Sequence, residues 1–413
     1  MTFLKVQFPL VRCLTASLFS LFLVSCSGSE EEGQSSFSFW RRGDDREKVD
    51  IPASFTEASA RKMGQQLDSI FTHLHKRKGF NGTVLVTKYD QVIYKGAFGY
   101  ADFYRKDSLS TETAFQLASV SKQFTAMAIM MLKEQGKLQY DDSVQQYLPD
   151  FPYKGVTIRQ LLTHRSGLPN YTYFSDELWP DRKKPLTNQD VVHLMVQHQP
   201  KIFYTPNTRF DYSNTGYCLL AAIVDEASGM PFSTFLRERI FERLDMKHTF
   251  TFSDDLTAYM GKFATGHTRG RQKRTTDYLD TVLGDKGVYS TVEDLYKWDQ
   301  ALYTQKLVKR ETLEEAFKGS RTEKKKTEDY GFGWRIKALE SGDSVVYHGG
   351  LWHGYTTYLM RNKKDHSALI VLSNLPNGSL QYLKDVQRFL YPIQPDTATI
   401  KDTKPAKVAS AQL

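Results

Sequence analysis

The pattern of apolar positions changes character along the chain, and the changes mark its elements. From Glu57 to Lys78, the residues Met63, Leu67, Ile70, Phe71 and Leu74 recur at three- and four-residue intervals, the period of a helix with one buried face. Gly82 to Tyr89 and Val92 to Tyr100 are instead rich in β-branched and aromatic residues with Tyr89-Asp90-Gln91 between them, which predicts a hairpin. An apolar helix is expected from about Ser121 to Gln135. From Leu138 to about Asp280 the pattern breaks into short helices and loops, among them Asn188 to Gln199 and Gly216 to Ala227, punctuated by Pro149, Pro169, Pro206 and Pro231. Strand-like runs return at Phe332 to Ile336, Ser344 to His348, Tyr355 to Arg361 and Ser367 to Leu372, before a closing helix at Leu380 to Phe389. Strand pairs at both ends of a helical middle predict an α/β sheet domain over about 57–118 and 281–393, split by an all-α insertion over about 138–280.

The two ends of the chain read differently. Leu14 to Val24 is the only long apolar run, and its eleven residues fall short of the ~20 needed to cross a bilayer. Lys5 and Arg12 precede it and Leu23-Val24-Ser25-Cys26 closes it, the order of an export signal. Those four residues resemble the bacterial lipobox, in which cleavage precedes the cysteine and its thiol receives a lipid. On that reading residues 1–25 are a signal peptide, and Cys26 carries a lipid that anchors the chain to a membrane of the cell envelope, on its periplasmic or extracellular face. The polar stretch 26–56 then reads as a tether, and 394–413, without an aromatic residue, as a disordered tail.

Composition narrows the class. A chain of 413 residues with 40% hydrophobic and 25% charged residues is globular, which excludes collagen, coiled coil and disulfide scaffold. With Cys13 removed and Cys26 lipidated, Cys218 has no partner for an intramolecular disulfide, so the domain must hold together by burial. Loss of Lys5 and Arg12 with the signal lowers the formal charge from +8 to +6, which reads as a solvated surface rather than a nucleic-acid site. Lys324-Lys325-Lys326, between Glu323 and Glu328, reads as an exposed loop.

The sharpest chemical feature is Phe115-Gln116-Leu117-Ala118-Ser119-Val120-Ser121-Lys122 ahead of the apolar helix. A serine and a lysine three apart at a helix start share one face, which brings an ammonium to a hydroxyl, while the helix dipole favours an oxyanion. A weak nucleophile needs such an activator. The tetrapeptide alone is cheap, since a chain of this composition shows it by chance roughly twice. Ser59-Ala60-Arg61-Lys62 also fits, but it lies among charged residues and reads as a solvated helix face. Tyr212-Ser213-Asn214 is the only Tyr-x-Asn; its phenol, with an ordinary pKa near ~10, works as a base at neutral pH only beside cations such as Lys122. His348-Gly349-Gly350 ends a strand-like run, and its glycines let a substrate lie close to the backbone. There is no His-Glu-x-x-His, His73 and His75 point to different sides of a helix, and no phosphate-binding glycine loop has the required setting, so neither metal nor cofactor is expected.

In order, spacing and flanks the chain resembles the serine β-lactamase and penicillin-binding-protein superfamily, in its class C β-lactamase-like branch with S-x-x-K, Y-x-N and H-x-G or K-T-G. The resemblance covers about residues 60–390 and extends to Thr157-Ile158-Arg159-Gln160-Leu161-Leu162-Thr163-His164-Arg165-Ser166-Gly167-Leu168-Pro169, Gly229-Met230-Pro231-Phe232 and Gly287-Val288-Tyr289-Ser290-Thr291. It implies an antiparallel sheet flanked by helices with a helical insertion. It implies Ser119 as acylated nucleophile, Lys122 and Tyr212 as proton carriers, Asn214 as orienter of substrate amide and lysine, and His348 as a wall of the cleft. The backbone N–H groups of Ser119 and Leu351 would form the oxyanion hole, with Gly349 and Gly350 against the substrate. His164 belongs to a segment that is structural in the family. Departures are Pro206-Asn207 for Pro-Gly, Asp245 for a glycine, and Gly349 where β-lactamases and D,D-peptidases commonly carry a hydroxyl for the substrate carboxylate. The last shifts weight toward esters or other peptides. Three functions follow for comparison: an exported esterase or D-amino-acid peptidase, a true β-lactamase or D,D-carboxypeptidase, and a silent lipoprotein that binds cell-wall peptides.

Overall fold

The structure, a computed structural model, describes residues 45–253, 256–259, 261–320 and 328–392. The signal peptide, Cys26, Lys324 to Lys326 and the tail over 394–413 lie outside the described residues. Within the stretch read as a tether, the described part lies against the body: Arg46 bonds Asp90 and Gln300, and Glu47 pairs with Arg310.

Helix α1 (Glu57–Lys78) opens on a capping box in which Thr56 and Ser59 each accept from the other's backbone N–H, and closes at Gly79 in the left-handed region. The hairpin β1 (Gly82–Lys88) and β2 (Gln91–Phe98) follows, then short β3 (Tyr100–Asp102) and β4 (Asp107–Ser108), and β5 (Phe115–Gln116). A 3-10 turn over Ala118–Ser121 leads into α2 (Lys122–Glu134). The middle of the chain holds α3 (Ile158–Leu162), α4 (Tyr171–Leu178), α5 (Asn188–His198), α6 (Asn214–Ser228), α7 (Phe232–Leu236) and the short strand β6 (Phe250–Thr251). After β7 (Val288–Ser290) come α8 (Val292–Ala301) and α9 (Arg310–Ala316). The strands β8 (Glu328–Tyr330), β9 (Arg335–Ala338), β10 (Ser344–Trp352), β11 (Tyr355–Asn362) and β12 (Ser367–Ser373) then precede α10 (Leu383–Leu390).

Seven strands form one antiparallel sheet in the order β2-β1-β12-β11-β10-β9-β8. Its central register, Val84 opposite Val371 and Leu85 opposite Ile370, sets alternate residues on opposite faces. Val84, Val86, Leu369 and Val371 pack with Leu67 and Phe71 of α1 and Val386 of α10. Leu85, Ile370 and Leu372 join a larger core with α2, α6 and α8. Both faces are covered, which is why β1 and β12 read as unbroken apolar runs. A second sheet, β5-β7-β6, ties the approach to Ser119 to the far side of the helical region.

One sequence expectation needs correction. Phe332 to Ile336 was expected as a strand, but Gly331 to Trp334 is a turn closed by the Gly331 N–H to Trp334 C=O bond, and β9 starts at Arg335. Its apolar residues are buried because the turn packs under α2, not because they belong to the sheet: a Cβ on Gly333 would lie 2.8 Å from the Lys122 carbonyl.

Candidate active site

The turn that carries Ser119 is held by three hydrogen bonds to two strands. The Leu117 N–H donates to the Val288 carbonyl at 2.8 Å, the Leu117 carbonyl accepts from Thr357 Oγ1 at 2.6 Å, and Ser121 Oγ accepts from the Val288 N–H at 3.2 Å. These bonds to β7 and β11 maintain Ala118 at φ +49, a left-handed conformation that costs an alanine free energy. Ser119 is the partly exposed residue between buried Ala118 and Val120, so its hydroxyl lies where the core opens.

Lys122 is fully buried, and its ammonium has three donors to place. They reach Ser119 Oγ at 3.2 Å, Asn214 Oδ1 at 2.9 Å and the Asp285 carbonyl at 2.9 Å. Full satisfaction is what allows a charged group to remain in such a place. All three acceptors are neutral, so the positive charge is not cancelled where it sits. The Asp285 carboxylate is turned elsewhere, accepting from Tyr171 Oη at 3.1 Å beside buried Lys286.

Tyr212 and Asn214 are presented by the start of α6. Its N-terminus is anchored by His164 Nδ1, which accepts from the Ser213 N–H at 3.2 Å, and by Thr215, whose hydroxyl donates to the Pro169 carbonyl at 2.6 Å. The His164 ring packs 4.1 Å from the Tyr212 ring, centroid to centroid. Burial, with the nearby charges of Lys122, His348 and Arg335, pushes the His164 pKa well below its ordinary value, so the ring is a neutral acceptor. Lys122 Nζ lies 5.0 Å from the Tyr212 ring centroid.

His348 is also buried, and burial followed by Lys122 and Arg335 drives its pKa well down. Its neutral tautomer follows from its partners. Nδ1 faces the Gly349 carbonyl at 2.7 Å and must carry the proton, leaving Nε2 to accept from the Tyr330 hydroxyl at 3.0 Å. Tyr330 suits that donor role, because burial raises its pKa well above the ordinary phenol range. The two glycines that follow differ. A Cβ on Gly350 would stand 2.3 Å from the Leu117 carbonyl, whereas at Gly349 the nearest atom is 3.7 Å away. Gly350 therefore lets β10 lie on the Ser119 turn, and Gly349 leaves space. Leu351 holds its side chain 67% exposed beside them. β9 pairs with β10 only as far as Tyr347, so beyond it β10 has β11 on one side and an edge free of β9 on the other.

Ser119, Lys122, Asn214, Tyr212 and His348 are thus brought to one place from four separate elements. The second serine-lysine pair is not: Ser59 is half-buried and spent in the α1 capping box, and Lys62 is exposed. Sequence reasoning missed three contributors. Asp285 acts through its carbonyl, which carries no side-chain signature, and Tyr330 and Arg335 flank the misread turn. A signal was available in Gly331-Phe332-Gly333, whose paired glycines mark close approach more than strand.

A model of the family described as Beta-lactamase matches residues 67–390. The chain belongs to this family. Its members are serine hydrolases, and the chain is one by descent. Penicillin-binding protein 4* of Bacillus subtilis (strain 168) is 38% identical over 323 residues, which span 75% of this chain and 71% of that protein. Among solved structures, the octameric penicillin-binding protein homologue from Pyrococcus abyssi superposes with a TM-score of 0.68 at 26% identity, covering 78% of this chain and 77% of that one. The D-amino acid amidase from Ochrobactrum anthropi SV3 shares the fold, with a TM-score of 0.63 at 23% identity over 81% of this chain and 97% of that one. Cys218, the one cysteine among the described residues of this β-lactamase-family chain, is buried, and its Sγ accepts from Asn188 Nδ2 at 3.4 Å.

Proposed function

We propose that the protein is an exported, lipid-anchored serine hydrolase of the class C β-lactamase-related branch, working through an acyl-enzyme on an ester, amide or small peptide. The observation that carries this reading is the 3.2 Å contact between the buried Lys122 ammonium and Ser119 Oγ. In the proposed cycle Ser119 attacks the substrate carbonyl while Tyr212 takes its proton, with the Lys122 ammonium beside both. The N–H groups of Ser119 and Leu351 face the developing oxyanion, and Asn214 orients substrate and lysine. Proton return to the leaving group gives the acyl-enzyme, and a water activated by Tyr212 releases the acid. His348, with both ring nitrogens engaged, serves as a wall and not as an acid or base. No cofactor or metal is needed for these steps. Gly349 supports esters and amides that lack a carboxylate beside the scissile bond, because it offers no hydroxyl to hold one.

A second reading, a penicillin-recognising β-lactamase or D,D-carboxypeptidase, is favoured by the 38% identity to a protein named for penicillin binding. A serine-acylating activity probe should label the wild type and not Ser119→Ala; equal labelling of both would sink the first reading. A panel of p-nitrophenyl esters, D-amino-acid amides, a chromogenic cephalosporin and labelled penicillin separates the substrates. Cephalosporin turnover or durable penicillin capture would favour the second reading, and no acylation at all a silent cell-wall binder. The envelope placement is tested separately, by metabolic lipid labelling that Cys26→Ala should abolish.

A further inference from the structure

Two cations from different elements lie near the Tyr212 ring. Lys122 comes from α2, and from β9 the Arg335 guanidinium carbon lies 5.3 Å from the same ring centroid. Arg335 owes its place to the β8–β9 turn, where Gly333 at φ +77 sits against the Lys122 and Gln123 backbone and admits no side chain. Register holds it between Tyr330 on β8 and Tyr347 on β10. Its guanidinium is also 6.0 Å from the Tyr330 centroid, and no carboxylate among the described residues pairs with it. The other groups packed on Tyr212 carry no charge: His164 and His348 are neutral, and Tyr330 keeps its proton. The pKa of adjacent His164 is lowered by burial and then by Lys122, His348 and Arg335. Asp211 precedes Tyr212 in the chain, its N–H bonded to the His164 carbonyl.

We infer that Arg335 is a positioning residue that supplies the second positive charge over Tyr212 and, with Lys122, holds that phenol ready as a base. His348, neutral in its buried setting, lends the phenol no charge, and Arg335 makes up the field from the neighbouring strand. This rests on the proposed role of Tyr212.

The test is the pH profile of kcat/KM for p-nitrophenyl acetate, which has no carboxylate for an arginine to bind. Arg335→Gln should move the acid limb to higher pH, lose roughly tenfold at pH 7 and recover at high pH, and Arg335→Lys should restore most of the profile. Arg335→Met, which keeps the apolar stem, gives the same reading if the Gln variant does not fold. An acid limb that stays in place overturns the inference, as does a loss confined to KM for carboxylate-bearing substrates, which would make Arg335 a substrate anchor. If turnover survives Ser119→Ala, the proposed function itself fails. If turnover needs Ser119 while the limb is unmoved by Arg335→Gln, only this inference fails.

Discussion

The chain carries the same four-residue pattern twice, and the two copies end in opposite fates. Ser59 and Lys62 sit on the first turns of α1, where the serine closes a capping box and the lysine faces water. Ser119 and Lys122 have the same spacing, yet Lys122 is sealed from water and bonded to Ser119, Asn214 and the Asp285 carbonyl. Helical geometry is common to both and cannot be what makes a nucleophile. The difference lies in what surrounds the lysine: neutral acceptors that hold a charge in the interior without cancelling it, and a left-handed Ala118 that turns the serine to the opening.

The widest separation of the two copies comes from removing each lysine. Lys122→Met should cost ~10²–10⁴-fold in ester kcat/KM and leave the Asn214 and Asp285 acceptors unpartnered, whereas Lys62→Met should change neither rate nor melting temperature measurably. Next in size is the strand that covers the second copy. Gly350→Ala forces a carbon onto the Leu117 carbonyl and should destabilise by about 1–3 kcal/mol with a matching loss of rate, while Gly349→Ser should stay within about 0.5 kcal/mol on thermal melting. A further gain of turnover on carboxylate-bearing substrates by Gly349→Ser would show what its missing hydroxyl withholds.

Acid should also tell the regions apart. His164 and His348 have folded pKa values well below the unfolded ~6.5, so below that pH the unfolded chain binds protons that the folded one refuses. Stability is therefore full above about pH 7 and falls as pH drops, by at most ~1.4 kcal/mol per pH unit for each histidine, down to the folded pKa. Melting curves of the wild type and His164→Gln across pH 4–8 should show a shallower acid decline in the variant. The smallest effect is at the first copy: Ser59→Ala should remove one half of a capping box, about 0.5–1 kcal/mol, with kcat/KM unchanged.

Much of this was legible in the order of residues. The 3.6-residue period of Met63 to Leu74 gave α1 from Glu57 to Lys78, and β-branched and aromatic runs gave the β1–β2 hairpin and the late strands β10, β11 and β12, because burial on one or two faces writes directly into side-chain type. The residues of the three motifs were legible as chemistry, and the structure adds how three of them share hydrogen bonds. What stayed hidden was carried by the backbone or by distance. The Asp285 carbonyl belongs to whatever residue stands there, and the left-handed turn at Ala118 has no glycine or asparagine to announce it. The buried turn at Phe332 and Trp334 reads as a strand because burial, not strand geometry, selects its apolar residues. Arg335 and Tyr330 reach Tyr212 across more than a hundred residues of sequence, a separation that no local pattern encodes.

The pairing of β1 with β12 sets a clock on assembly. Gly82 meets Ser373 and Thr87 meets Ala368, so the centre of the sheet cannot close until nearly the whole chain is available. Contacts this distant in sequence make folding slow. Until they form, His348 has no strand to bring it to Ser119, and β1 offers an unpaired edge. A chain cut short before Ser373 would hold every residue of the three motifs and still be both inert and prone to cling to its neighbours.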